Sequence, residues 1–251
     1  MGYIPQKICI LKFVCEQSIV TIEDVSQSQN IKPSVARVTL HQLGIAHTKY
    51  GDIKHGIWYI NRPELFDLLR SYFPDLPTFK VRPLLLHQVV HSLTMNRIRI
   101  TLEQTHHLTV AQWWSENYIR SLPSPIGRRI AHTKIPDAIF WRRRTDGSQQ
   151  KFFLEYERTL KNKSRYECIL QAYTKCPDVS HRNVLYICEN TFIKEELEHI
   201  EKKLAQTGKI PGAGLYFQFV TLENFFNTYG HHKKEERQND SNTNPIQLAR
   251  V

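Results

Sequence analysis

The residues with the clearest chemical promise are three carboxylic acids, Asp137, Glu155 and Glu157. Glu155 and Glu157 belong to the run Lys151-Phe152-Phe153-Leu154-Glu155-Tyr156-Glu157-Arg158-Thr159, whose apolar and aromatic content predicts a β-strand. Alternate side chains of a strand share a face, so Phe153, Glu155 and Glu157 point one way and Phe152, Leu154 and Tyr156 the other. Asp137 stands near the start of a second strand-like run, Lys134 to Arg142, and the turn Thr145-Asp146-Gly147-Ser148 joins the two as a hairpin. In a suitable register Asp137 lies across from the other two acids. Carboxylates gathered in this way repel one another, a cost that a bound cation or an Arg or Lys offsets. Oxygen ligands alone select a hard ion, so Asp137 and Glu155 are the expected ligands of Mg²⁺ or Mn²⁺.

The elements around the hairpin read as an α/β (α+β) chain. A long helix is predicted from Pro83 to about Gln104, with Leu85, Val89, Leu93, Ile100 and Leu102 among its apolar positions. His87 and His91 lie four apart on one face of it. That spacing suits a metal, but the HExxH glutamate is absent and no third ligand is signalled, so a polar helix face or contacts to DNA or a neighbouring domain is the expected role. Beyond the hairpin come a helix from Asn162 to Lys175, a strand Val184 to Cys188, a charged helix Phe192 to Ala205, a strand Leu215 to Val220 and a helix Leu222 to Tyr229. The order from the long helix is α, β, β, α, β, α, β.

Upstream, Ile8 to Cys15 is apolar at helical spacing, and Thr21, three before Asp24, caps a short helix. A third helix starts at Pro33, with Val35, Val38, Leu40 and Leu43 as its apolar stripe and Gly44 as its stop. Two strands, Ile45 to Tyr50 and Ile57 to Asn61, follow around a loop with glycine at both ends. Three helices and a hairpin in this order resemble a winged helix-turn-helix. Such a domain places the helix from Pro33 in the major groove, leaving Ser34, Arg37, Thr39, His41 and Gln42 to touch DNA and Lys49 and Lys54 to serve the wing. A protein-interaction module is the alternative use of the same fold.

Composition supports these assignments. The 251 residues carry 34 Lys plus Arg against 24 Asp plus Glu, a formal net charge of +10, which draws anions and above all nucleic acid. The excess is uneven: residues 81–150 hold ten basic and four acidic side chains, including Arg128, Arg129, Arg142, Arg143 and Arg144. Five cysteines, an odd number without a CxxC pair, indicate neither a disulfide framework nor a zinc knuckle. No apolar run is long enough for a membrane helix, and Lys7 and Lys12 interrupt any signal-peptide core. A cytoplasmic protein is expected, with residues 1–72 as the winged helix, 73–82 as a linker, 83–229 as the second domain and 230–251 as a disordered polar tail.

Pro136-Asp137, seventeen intervening residues, then Glu155-Tyr156-Glu157 and a following helix resemble the PD-(D/E)XK nuclease core, and the element order is similar to a restriction-endonuclease-like fold. The resemblance implies that an Asp and a Glu on adjacent strands hold Mg²⁺ at the scissile phosphate while a Lys two residues after the Glu helps activate water. Glu157 stands at that last position here, and Lys161 or Lys163 supplies the charge from the next turn. Glu116 is the fourth acid that the superfamily often carries on the upstream helix. Tyr166, Gln171 and Tyr173 resemble the helix motif of RecB-like nucleases. Winged-helix half, IPDAIF strand and FFLEYERT strand together resemble the replication-relaxation family, in particular the MobC-type relaxases of mobilisable plasmids, over roughly residues 5–225. That implies nicking of one strand of supercoiled plasmid DNA at a transfer origin, with the arginines holding phosphates, an accessory mobilisation protein as a further partner, and neither membrane nor small-molecule cofactor. The absence of a His-hydrophobic-His motif favours water as nucleophile over Tyr156 or Tyr173. A non-catalytic regulator of plasmid replication or transcription, favoured by Glu157, is the main alternative. A restriction-type enzyme that cuts both strands is a third.

Overall fold

The computed structural model describes residues 3–81, 83–105, 109–122, 134–144, 146–180 and 182–230. It is a mixed α/β structure with a small three-stranded sheet and a larger five-stranded one. In the first half, α1 (Gln6–Gln17) and β1 (Ile19–Val20) lead to α2 (Ile22–Gln29), α3 (Pro33–Gln42), the hairpin β2 (Ala46–Thr48) and β3 (Ile57–Tyr59), and α4 (Glu64–Tyr72). Thr21 and Asp24 form the expected capping box: each side chain accepts a backbone N–H of the other, at 3.0 and 2.9 Å. The hairpin strands are shorter than expected, and β1 adds a third strand on the β3 edge, in the order β1-β3-β2.

The apolar stripe expected of α3 is corrected by its packing. Ala36, Leu40 and Leu43 are buried, whereas Val35 and Val38 are 44 % and 54 % exposed. A 3.6-residue period admits either set, and the core of this half, built around α1, receives the Ala36–Leu40 row. The segment 73–82, expected as a linker, sends Phe79 into that same core, where its ring meets Phe66 and Tyr118.

In the second half, α5 (Leu86–Gln104), three residues later in its start than expected, is followed by β4 (Thr109–Ser115), α6 (Glu116–Ser121), β5 (Ala138–Arg143), β6 (Gln149–Glu157), α7 (Lys163–Thr174), β7 (Val184–Cys188), α8 (Thr191–Gln206), β8 (Phe217–Thr221) and α9 (Leu222–Tyr229). The sheet order is β4-β5-β6-β7-β8; the β4–β5 and β5–β6 pairs are antiparallel, and β6, β7 and β8 run parallel. Two strands were expected between the long helix and α7, and the structure has three. The extra one, β4, carries Trp113 and Trp114 to opposite faces, Trp113 stacking on Phe140 and Trp114 meeting Trp141.

Helices cover both faces. Tyr166, Ile169, Leu170 and Tyr173 of α7 and Ile193, Leu197, Ile200 and Leu204 of α8 bury Ile139, Phe153, Val184, Tyr186 and Phe217. On the other face Met95, Ile98 and Leu102 of α5 and Phe225 of α9 bury Phe140, Leu154 and Ile187. Strands closed on both faces in this way read as near-continuous apolar runs, as Val184–Cys188 does.

α5 also docks the first half. Its buried Asn96 donates to the Ile19 carbonyl at 2.8 Å and to Asp24 at 3.0 Å, and its Arg99 reaches Glu16 at 2.8 Å and Glu103 at 2.7 Å. Asn117 of α6 donates to the Cys15 carbonyl at 2.8 Å, and Ser115 donates to that of Glu16. Among the described residues no helix is long and apolar enough to cross a membrane. The polar tail expected at 230–251 lies, apart from Gly230, outside the described residues.

Candidate active site

The hairpin register brings the acids together. Ala138 pairs with Leu154, so one step further Asp137 meets Glu155 across adjacent antiparallel strands. Glu155 and Glu157 occupy the carboxyl end of β6, beside its parallel partner β7. Open α/β sheets place their ligands at that end.

Asp137 is fixed by three contacts. Its Oδ2 accepts the Tyr156 backbone N–H at 2.8 Å and the His91 Nε2 at 3.3 Å, and its carbonyl accepts the Glu116 N–H at 2.9 Å. Burial pushes its carboxyl up, but the His91 bond, the Lys134 charge and the Tyr156 N–H together hold it below the usual range. Burial opposes charge on His91 as well. The bond and charge of Asp137, helped by Glu116 and Glu155, outweigh it and hold the imidazole above its usual value. The His91 ring lies 5.2 Å from that of Tyr156, which fixes its plane.

Glu155 is 1 % exposed. Tyr173 of α7 donates to its Oε1 and Lys134 to its Oε2. Burial pushes the carboxyl up to about 7; Lys134 opposes that rise and Asp137 adds to it. Lys134 loses by burial and gains more from Glu155 and Asp137, so its ammonium sits above its ordinary value. Glu157 is buried too, and Lys161, four residues on in the loop before α7, bonds its Oε2 at 2.5 Å.

Asp137, Lys134 and Glu157 line an open cleft of about 610 Å³. Its lining is rich in cations, with Arg120, Lys134, Arg158, Lys161 and Arg165 around Glu116, Asp137 and Glu157, and His87 and His91 along one side. His87 and His91 thus share the cleft wall; His91 serves Asp137. Glu116, the expected fourth acid, starts α6 and pairs with Arg120 at 2.5 Å. Glu155 is not among the described residues lining the cleft, because Lys134 lies over it.

Other expected residues lie elsewhere. Arg142 and Arg143 are at the far end of β5, opposite Gln150 and Gln149, with Arg144 just beyond, and at roughly 3.3 Å per residue the three lie about 16–23 Å along the chain from Asp137. None of the three is among the described residues lining the cleft, so the arginine run and the acids are two separate places, not one. Lys163 is exposed at the start of α7 and is likewise not among them. Arg37 is exposed on α3, 2.6 Å from His55 of the hairpin loop, and Lys49 and Lys54 are exposed in or beside that loop. Arg128 and Arg129 lie outside the described residues. The Tyr166 hydroxyl accepts the Lys161 N–H at 3.0 Å, and Gln171 is half-buried on α7. Tyr156 and Tyr173 are 3 % and 6 % exposed, and their hydroxyls bond Glu189 and Glu155. Burial and those acids push both phenols up, away from the phenolate a nucleophile needs.

Sequence reasoning passed over Lys134, Arg120, Arg158 and Arg165, and used His91 only as half of a histidine pair. Arg158, next to Glu157, is the one whose position already carried a signal.

The donor chemistry is compatible with a hard cation. Among the described residues no three His, Cys, Asp or Glu side chains converge as a metal cage. Mg²⁺ needs no such cage, since it commonly takes one or two carboxylates and completes its shell with water and substrate phosphate. Asp137 is open to the cleft for that purpose, and Glu155 lies behind Lys134. Comparison of the chain with protein-family models, curated proteins and solved structures finds no match to any of them.

Proposed function

We propose that this chain is a metal-dependent endonuclease that nicks one strand of DNA, with a winged helix-turn-helix before a PD-(D/E)XK-like core, and that it serves as a MobC-type relaxase at a plasmid transfer origin. The observation that carries the reading is Asp137 and Glu157 lining a cleft ringed by cations, with Glu155 opposite Asp137 on the adjacent strand and buried behind Lys134. When bound at Asp137 and Glu155, the cation supplies Lewis acidity at phosphorus and a more acidic water. The protein's own residues do the rest. Arg120, Arg158 and Arg165 grip phosphates, His91 orients Asp137, and Lys161 pairs with Glu157. Water is the nucleophile, because both candidate tyrosine hydroxyls are buried and engaged.

The balance of the step is that of hydrolysis. A water oxygen bonds to phosphorus, one phosphorus–sugar oxygen bond breaks, one water proton ends on the expelled sugar oxygen, and the other remains with the new phosphate or leaves to solvent. Supercoiled plasmid carrying the cognate origin should become open circles with Mg²⁺ or Mn²⁺ and stay supercoiled with EDTA. Linear product would point to a double-strand enzyme.

A non-catalytic DNA-binding regulator is the second reading. It is favoured by Glu155, whose two oxygens are already taken by Lys134 and Tyr173. Origin binding that is indifferent to divalent ions, without any scission, decides for it.

The cleft arginines make a separate prediction. Arg158→Ala with Arg165→Ala should weaken DNA binding and lower the slope of log affinity against log salt by about two, one for each lost phosphate contact. A filter-binding titration over a salt series measures it; an unchanged slope would remove these arginines from the DNA path.

A further inference from the structure

We propose that Lys134 works in two positions, neutralising Glu155 in the metal-free protein and turning to a DNA phosphate when a divalent cation takes its place. The inference rests on the nuclease reading above and adds to it a residue and an order of events.

The argument begins with access. Glu155 is 1 % exposed, and Lys134, 21 % exposed along its side chain, lies between it and the cleft. A cation arriving from the cleft therefore meets the ammonium before it meets the carboxylate. Two cations on one oxygen of a carboxylate as buried as Glu155 repel strongly. The divalent ion carries twice the charge and is drawn by Asp137 as well, so the ammonium is the one that leaves.

Its destination follows from what surrounds it. Inward, the other Glu155 oxygen is held by Tyr173. Sideways, Glu157 already has Lys161 at 2.5 Å. The cleft is the direction that remains, and a four-carbon stem with free torsions lets the ammonium reach into it. The anion expected there is the phosphate gripped by Arg120, Arg158 and Arg165. An ammonium at a non-bridging oxygen favours the charge that develops as water adds to phosphorus, and it does so without changing the proton balance given above. Lys161 is poorly placed for this exchange, since its partner is Glu157 and neither Asp137 nor Glu155.

Manganese binding and nicking, measured on the full chain, test the two halves of the proposal separately. Lys134→Met should bind Mn²⁺, followed by electron paramagnetic resonance, roughly tenfold more tightly, because one competing charge has gone. At saturating Mn²⁺ the same variant should nick about a hundredfold more slowly. Lys134→Arg keeps the charge and should stay within about threefold of the parent in Mn²⁺ affinity and about tenfold in nicking. If Lys134→Met does not fold, Lys134→Gln, whose amide still donates to Glu155, carries the same comparison. Unchanged or weaker Mn²⁺ binding in the charge-free variant overturns the exchange. Nicking equal to the parent's overturns the phosphate contact while leaving the nuclease reading intact. A parent protein that fails to nick, with Asp137→Asn indistinguishable from it, is a failure of the nuclease reading itself.

Discussion

Asp137→Asn should lower the rate of nicking by about a thousandfold, roughly 4 kcal/mol of transition-state stabilisation, while leaving DNA affinity within about threefold. The amide oxygen can still accept the Tyr156 N–H, so the strand geometry at 2.8 Å survives. What it removes is the carboxylate that lines the cleft directly opposite Glu155. It also weakens the contact that raises His91 above its usual value, and that loss adds to the effect. Timed conversion of supercoiled to open-circular plasmid measures the rate, and a filter-binding assay without metal measures affinity. A variant that nicks at the parent's rate would eliminate Asp137 from the chemistry, and with it the assignment of this cleft as the active site.

The second large effect concerns stability. Arg99→Met should cost about 3–5 kcal/mol in a denaturant titration, because it leaves the carboxylate of Glu16 almost wholly buried beside an uncharged side chain. Lys12, one helical turn away on α1, bonds the other oxygen of Glu16 and keeps the cost toward the lower end. The guanidinium also lies 5.1 Å from the Phe13 ring and 5.7 Å from the Trp113 ring, contacts that the thioether replaces only in part. Adding Glu16→Leu should recover much of the loss, since replacing a whole buried pair by apolar groups is often close to neutral. A single variant that loses less than about 1 kcal/mol would show that the buried Arg99–Glu16 pair does little to hold the two halves together.

The hairpin of the site was legible because its signal is strict. β6 alternates apolar and acidic residues from Leu154 to Glu157, and a turn of Asp, Gly and Ser adjoins it, so face and partner both followed from the residues. β4 gave no such signal. Its alternation is disturbed between Val110 and Gln112, where the pairing with β5 shifts, and its adjacent tryptophans pack on opposite faces. β1, two residues long, is too short for any period to register. The stripe of α3 was misread because valine is apolar wherever it sits, and Val35 and Val38 form a helical row as regular as Ala36 and Leu40.

The charges of the site were harder still. Lys134 and Glu155 are 21 residues apart, and His91 and Asp137 are 46 apart. Nothing in either stretch says which helix face meets which strand end, and that docking alone makes the pairs. The net charge misled in the opposite direction. Arg142 to Arg144 dominate the count near the acids in sequence, yet a strand carries its two ends to opposite edges of the sheet, so closeness in number became distance in space.

The long helix α5 has one more consequence. It bears His91, which touches the acids, and Asn96 and Arg99, which are locked into the first half. From His91 to Arg99 is eight residues, about 12 Å of rigid rod at 1.5 Å per residue. On the proposed function, a duplex seated on α3 therefore meets the cleft at a set offset, and the helix acts as a ruler between the bases read and the bond cut. Each base pair inserted between them shifts the scissile phosphate by about 3.4 Å and turns it around the duplex axis. The origin is then defined as much by a spacing as by a sequence.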